Sequence, residues 1–266
     1  MSTDLFDDLH RLGLCAPRDA LEALLTHAVK SRLAPTQLIE QLVALERRQR
    51  DARNLAARTK MATIGTAKPL DRFDWAFPRS IHRPLYDQLL TLDFAKRAHN
   101  VLFRGPSGVG KTTLAQNLGL RALEHGKTVR FATLNGVLAD LLMQESLPAV
   151  ERRLRRYTTP DLLVLDELGY LPCDARAGDM LYTIINRRHG KSSTVITTNL
   201  AFRDWATVFP GAACVVALVD RFTQHCHVLD IDGESWRQHE HEHDTTSLDD
   251  PPPKPSSPFA TRKKGQ

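Results

Sequence analysis

The chain has 266 residues, 42% of them hydrophobic and 25% charged, which supplies a full core and excludes a disordered or collagen-like chain. No apolar run approaches the roughly 20 residues that cross a bilayer, and no leader is visible, so a soluble intracellular protein is expected. The net charge of +5 suits a polyanionic partner without requiring one, and Cys15, Cys173, Cys214 and Cys226, which form no C-x-x-C pair, point to free thiols in a reducing cytoplasm.

From Asp4 to about Lys60 the pattern is helical. Ala20, Leu21, Leu24, Leu25 and Ala28 recur at helix spacing, and Pro35-Thr36 opens a second helix with a stripe of Leu38, Leu42 and Leu45. That helix turns basic through Arg47, Arg48, Arg50, Arg53, Arg58 and Lys60. Two readings stay open, a solvated helix end and a phosphate-contacting arm or oligomer contact. We expect residues 1–65 to form a helical N-terminal domain. Residues 66–84, "TAKPLDRFDWAFPRSIHRP" with three prolines, read as a linker.

Residues 85–238 alternate short β-rich runs ("NVLFR", "TVRFATL", "DLLVLDE", "STVITT", "HVLDI") with amphipathic stretches, the pattern of a parallel, doubly wound α/β sheet. Residues 239–266 are rich in proline and end basic, so a disordered tail is expected. His239, His241 and His243 there read as composition rather than a metal site.

Within the α/β region, Gly105-Pro106-Ser107-Gly108-Val109-Gly110-Lys111-Thr112 fits G-x-x-x-x-G-K-[ST], and Thr113 continues it. Glycines there let backbone N–H groups turn inward around a phosphate chain. Lys111 places a positive charge on the β- and γ-phosphates, Thr112 offers a hydroxyl to Mg²⁺, and the following helix points its positive end at the anion. A strand before the loop and a helix after it agree with this reading. ATP and Mg²⁺ are therefore the expected cofactors.

Some 55 residues on, "DLLVLDE" ends in two acids: Asp166 would hold Mg²⁺ through a water, and Glu167 would polarise the attacking water. "STVITTNL" ends in Thr197, Thr198 and Asn199. In a parallel sheet its tip lies level with Asp166, where an amide can hold the water, and Asn199 fits better than Thr198. Arg221 in "VALVDRF" reads by itself as a surface ion-pair residue.

These residues resemble the AAA+ helper ATPases of the IstB type, which work with transposases, and their relatives the DnaC-type helicase loaders. The likeness runs from about Leu38 to Arg237, through "LDRFDWAFPRSI", "LDFAKRAHNVLFRGPSGVGKTTLA", "LLVLDELGYLP", "VITTNLAFRDWATVF", "ALVDRFTQHCHVL" and "DGESWR". The resemblance implies a P-loop AAA+ fold with a five-stranded parallel sheet, a helical N-terminal domain and nucleotide-dependent assembly into rings or spirals on duplex DNA. It also implies that Arg221 reaches the γ-phosphate held by a neighbouring subunit. Departures from the family pattern are Ser107, Arg104 at a usually apolar strand end, and Glu167 in place of a frequent aspartate. The chain beyond "DGESWR" is too short and polar for a helical lid.

Three basic clusters are candidates for the DNA surface: Arg47 to Lys60; Arg152, Arg153, Arg155 and Arg156; and Arg187, Arg188 and Lys191. The second, between the second and third strands, is the preferred channel cluster. The leading expectation is an ATP-dependent helper that assembles on target DNA and regulates a transposase. Its rivals are a replicative helicase loader, a small-molecule kinase and a nonhydrolysing scaffold.

Overall fold

The computed structural model describes residues 4–169, 175–236 and 238. Tyr170 to Pro172 of "LDELGYLP", Cys173, Arg237 of "DGESWR" and the tail with His239, His241 and His243 lie outside the described residues. No helix among the described residues is long and apolar enough to cross a membrane.

Five strands, β2 (Asn100–Arg104), β3 (Val129–Thr133), β4 (Leu162–Leu168), β5 (Ser193–Thr198) and β6 (Cys226–Asp232), run parallel, as expected. β2, β4 and β5 are buried almost throughout, which is why they read as continuous apolar runs rather than alternating ones. A sixth strand is added to the expected five. β1 (Ser80–Ile81), from the stretch expected to be a linker, pairs antiparallel with Ile231 and Asp232, giving the order β1-β6-β2-β5-β4-β3. Two residues carry too little periodicity to be seen in sequence.

Helices cover both faces. On one lie α6 (Lys111–Glu124), α4 (Arg83–Leu89), α5 (Asp93–Lys96) and the end of α3 (Pro35–Ala62), enclosing Tyr86, Leu89, Phe94, Leu114, Leu118 and Leu123. On the other lie α7 (Leu134–Leu142), α8 (Leu147–Thr158), α9 (Ala175–Arg188), α10 (Trp205–Val208) and α11 (Val215–Thr223), around Leu138, Leu181, Ile184, Trp205 and Phe222. Each face buries its apolar stripe against the sheet, as a three-layer α/β unit requires.

The helix α2 (Arg18–Lys30) and the turn joining it to α1 (Leu5–Arg11) meet the first half of α3, where the Glu46 carboxylate accepts the Cys15 and Ala16 N–H groups (2.9 and 3.0 Å) and Arg50 Nε (2.6 Å). The second half of α3 belongs to the sheet: Leu55 and Ala62 join the core beside α6, and Thr63 Oγ1 donates to the Phe131 carbonyl of β3 (2.6 Å). The basic row of α3 is thereby divided. Arg50, Arg53 and Arg58 bond to this chain (Glu46, Cys15 Sγ and the Leu123 carbonyl), whereas Arg47, Arg48 and Lys60 are exposed.

Candidate nucleotide site

β2 ends at Arg104, the chain turns through Gly105 to Gly110, and α6 begins at Lys111. Arg104, an unusual charge at this strand end, is held bidentately by Asp230 of β6 (2.6 and 2.8 Å). Two glycines in the turn are required twice over. Gly108 and Gly110 have φ of +82° and +93°, and a Cβ would stand 2.1 Å from Ser235 Oγ at Gly108 and 2.5 Å from the Phe73 ring at Gly110. The loop leads into the N-terminus of α6, which no side chain caps and whose first N–H groups have no partner within the helix, an arrangement that suits an anion.

Lys111 Nζ donates to the Gly105 and Pro106 carbonyls (2.8 and 2.5 Å). Thr112 Oγ1 lies 3.1 Å from both carboxylate oxygens of Asp166, which is 4% exposed at the end of β4. A hydroxyl and a carboxylate at this separation are hard oxygen donors, the chemistry that suits Mg²⁺. Ser107, Gly108, Lys111, Thr112, Glu167, Leu168, Thr197, Thr198 and Asn199 line one cleft. Thr198 spends its hydroxyl on structure, donating to the Leu168 carbonyl (2.7 Å) and accepting the Leu200 N–H (3.0 Å), while Asn199 beside it is exposed in the cleft.

Arg221 is not brought into this cleft. It sits on α11, where its guanidinium donates to Asn186 Oδ1 of α9 and lies over the Tyr182 ring, 5.7 Å from the centroid. The P-loop residues, Asp166, Glu167 and Asn199 therefore converge, and Arg221 faces elsewhere.

On the other side of the loop is a cavity of about 570 Å³, lined by Val109 to Thr113 and by Lys68, Arg72, Phe73, Phe77 and Trp236 among others. Phe77 and Trp236 meet edge to face at 4.6 Å, and the backbone N–H of Trp236 donates to the Gly108 carbonyl (3.1 Å). Residues 66–84 are thus a wall of the site. Sequence reasoning missed Phe73, Phe77 and Trp236; the signal was the aromatic content of "LDRFDWAFPRSI" and "DGESWR", the two quoted stretches to which no chemistry had been attached.

The third basic cluster is corrected. Arg188 is 1% exposed and cannot face DNA, and Arg187 forms a bidentate pair with Glu151 (2.7 and 2.9 Å) that holds the Glu151 carboxyl below its ordinary range. Arg188 reads as basic surface only because its neighbours do; its spacing from Ile184 and Ile185 puts it on the buried side of α9. In the second cluster Arg153 pairs with Asp140 (3.3 Å), and Arg152, Arg155 and Arg156 are exposed along α8.

Comparison with known proteins agrees with the geometry. The family model described as "IstB-like ATP binding protein" matches residues 7–244. The chain is 35% identical over 217 residues to the insertion sequence IS21 ATP-binding protein of Pseudomonas aeruginosa, covering 82% of each. To the insertion sequence IS232 ATP-binding protein of Bacillus thuringiensis subsp. berliner it is 31% identical over 237 residues, covering 89% of this chain and 95% of the relative. Among solved structures, that of DnaI superposes with a TM-score of 0.52 at 15% identity, over 65% of this chain and 90% of that one; this likeness concerns the fold.

Proposed function

The chain belongs to the IstB-like ATP-binding protein family, and on that premise we propose that this insertion-sequence ATPase assembles on duplex DNA with ATP and regulates a transposase through hydrolysis. The observation that carries the proposal is the division of the hydrolytic groups. Lys111, Thr112, Glu167 and Asn199 share one cleft while Arg221 is held on another face by Asn186 and Tyr182. A site finished by Arg221 of the partner subunit makes hydrolysis conditional on assembly.

The roles follow from the chemistry. Phosphate oxygens are charged acceptors and displace the neutral Gly105 and Pro106 carbonyls from Lys111. The loop N–H groups and the N-terminus of α6 take the remaining phosphate charge. Thr112 and Asp166 are the residues that would hold Mg²⁺, which supplies charge neutralisation across the β- and γ-phosphates. Glu167 orients and polarises a water, and Asn199 holds that water and senses the γ-phosphate. The aromatic cavity beside Gly110 is the place for the base. For DNA, the exposed Arg152, Arg155 and Arg156 of α8 form the backbone-contacting row, with Arg47, Arg48 and Lys60 of the N-terminal helices as a second contact. Residues 1–65 would then serve DNA and oligomer contacts, 66–84 and 85–238 the ATPase unit, in the cytoplasm.

The test is ATP turnover against protein concentration, with and without long duplex DNA at low and high salt, alongside sizing in a nonhydrolysable ATP analogue. Turnover per subunit rising with concentration and with DNA, together with an ATP-dependent assembly, is the expected result. Turnover flat in concentration and indifferent to DNA refutes it.

A further inference from the structure

The tip of β4 is irregular. Its pairing with β5 runs Leu162↔Ser193 to Leu165↔Ile196 and resumes at Leu168↔Thr198, so Asp166 and Glu167 together stand opposite the single residue Thr197. This is a β-bulge, and Glu167 carries the left-handed φ of +66° that accompanies it. Successive side chains of a regular strand point to opposite faces. A straight β4 would therefore send Asp166 and Glu167 apart. The bulge breaks the alternation and lets both acids serve the same site.

A bulge leaves a backbone group without its ladder partner, and a non-glycine residue at positive φ is strained. Here one side chain answers both problems. The Glu167 N–H donates to Thr197 Oγ1 (2.9 Å), and Thr197 Oγ1 donates its hydrogen to Asp166 Oδ1 (2.5 Å). An amide can only donate, so Thr197 Oγ1 accepts from Glu167, and its own hydrogen is left for the Asp166 carboxylate. Thr197 is 1% exposed, so no bulk water stands in for it.

We propose that Thr197 is a positioning residue for hydrolysis: its hydroxyl locks the β4 bulge, aiming the Glu167 side chain into the cleft and orienting the Asp166 carboxylate toward Thr112. This rests on Glu167 being the group that polarises water. Without the hydroxyl, the part-buried Glu167 N–H loses its acceptor within the protein, and recovering one means straightening β4 toward a regular ladder, which turns Glu167 out of the cleft. Phosphate binding by the P-loop involves neither group.

The experiment compares Thr197→Val, which keeps the shape and removes the hydroxyl, with Thr197→Ser, which keeps the hydroxyl. For each, nucleotide affinity without Mg²⁺, turnover, the Mg²⁺ concentration giving half-maximal turnover, and Tm are measured. Thr197→Val should bind nucleotide as the parent does, turn over roughly 100-fold more slowly and need more Mg²⁺, with Thr197→Ser close to the parent. In a Glu167→Gln background at saturating Mg²⁺, Thr197→Val should cost little further turnover, because the only action left to the hydroxyl is on the Asp166 carboxylate, which excess metal compensates. If Thr197→Val does not fold, Thr197→Ala takes its place with the same expectations. Parent-like turnover and Mg²⁺ dependence without the hydroxyl overturn the proposal, as does a serine variant that loses as much turnover as valine does. Full additivity with Glu167→Gln makes the role merely structural. Absence of turnover in the parent chain under every condition sinks the hydrolytic reading, and the proposal with it.

Discussion

Strand β5 carries a buried polar network at each end, and the two are built to opposite plans. At its start Arg188 reaches in from α9 and spends its guanidinium on the chain itself. Its N–H groups go to the carbonyls of Tyr157, Thr158, Pro160, Asp161 and Ser193 and to Thr194 Oγ1, at 2.5 to 3.3 Å. At the other end Thr197 ties together Asp166 and Glu167, yet the Asp166 carboxylate still has lone pairs directed to Thr112, and Glu167 lines an open cleft. A saturated network closes a fold; one with capacity left over can act on something else. Burial pulls the Arg188 guanidinium down to about 9, offset in part by Asp161, so even the saturated end holds its charge against a desolvation cost.

The comparison breaks if changes at the open end disturb folding as much as changes at the closed end. The largest effect is expected at the open end, on chemistry. Lys111→Ala should abolish nucleotide binding, and Glu167→Gln should bind ATP, stay assembled on DNA and turn over roughly 1,000-fold more slowly, both with parental Tm. Equal loss of binding in the two variants would refute the roles given to them. At the closed end, Arg188→Met removes donors from several buried carbonyls at once and should cost on the order of 3 kcal/mol or more of stability in denaturant titration. Turnover per folded molecule should be nearly unchanged. A stable Arg188→Met chain with impaired hydrolysis would reverse the assignment.

The open end was largely legible in the sequence and the closed end was not, for physical reasons. Gly105 to Thr112 announces itself because phosphate binding demands small residues and a lysine at set spacing. Asp166 and Asn199 follow because they end apolar strands of a parallel sheet, whose tips lie level. Thr197 escaped because its role depends on a bulge, and a bulge is a property of two strands in register rather than of either one. Arg188 was misread because charge is ordinarily a surface signal, and most of the carbonyls that receive it come from the end of α8 and the turn before β4, about 30 residues earlier in the chain. Phe73, Phe77 and Trp236 were visible as aromatics, but only the pairing of β1 with β6 brings those segments to one side of Gly108.

A mixing experiment sharpens the contrast further, because the open end is proposed to be unfinished within one chain. Arg221→Ala alone should be inactive, and so should Glu167→Gln. An interface that pairs Glu167 of the first with Arg221 of the second contains every group, so an equal mixture should recover roughly a quarter of parental turnover if subunits assemble at random. Absence of rescue at every ratio would place Arg221 outside the reaction.

The smallest expected effect is one of pH, at the opposite end of the sheet from the cleft. His99, just before β2, stacks on His225 (5.0 Å, 14° between rings) and approaches His227 of β6 (5.6 Å). Burial first, then the charges of His225, His227 and Arg97, hold its imidazolium form below the usual range. Burial and Arg97 lower His227 in the same direction. Because these groups bind a proton more weakly folded than unfolded, they cost nothing above the unfolded value of about 6.5. As pH falls through that value the unfolded chain takes up protons first, and stability is lost until the folded form is protonated as well. The carboxylates whose folded range is depressed, such as Asp161 and Glu151, act only at lower pH, so between pH 7 and about 5.5 the histidines dominate the slope. Urea midpoints across that interval should decline, and His99→Phe, which keeps a ring without a proton to bind, should flatten the decline. A slope unchanged in His99→Phe would mean the acid sensitivity arises elsewhere.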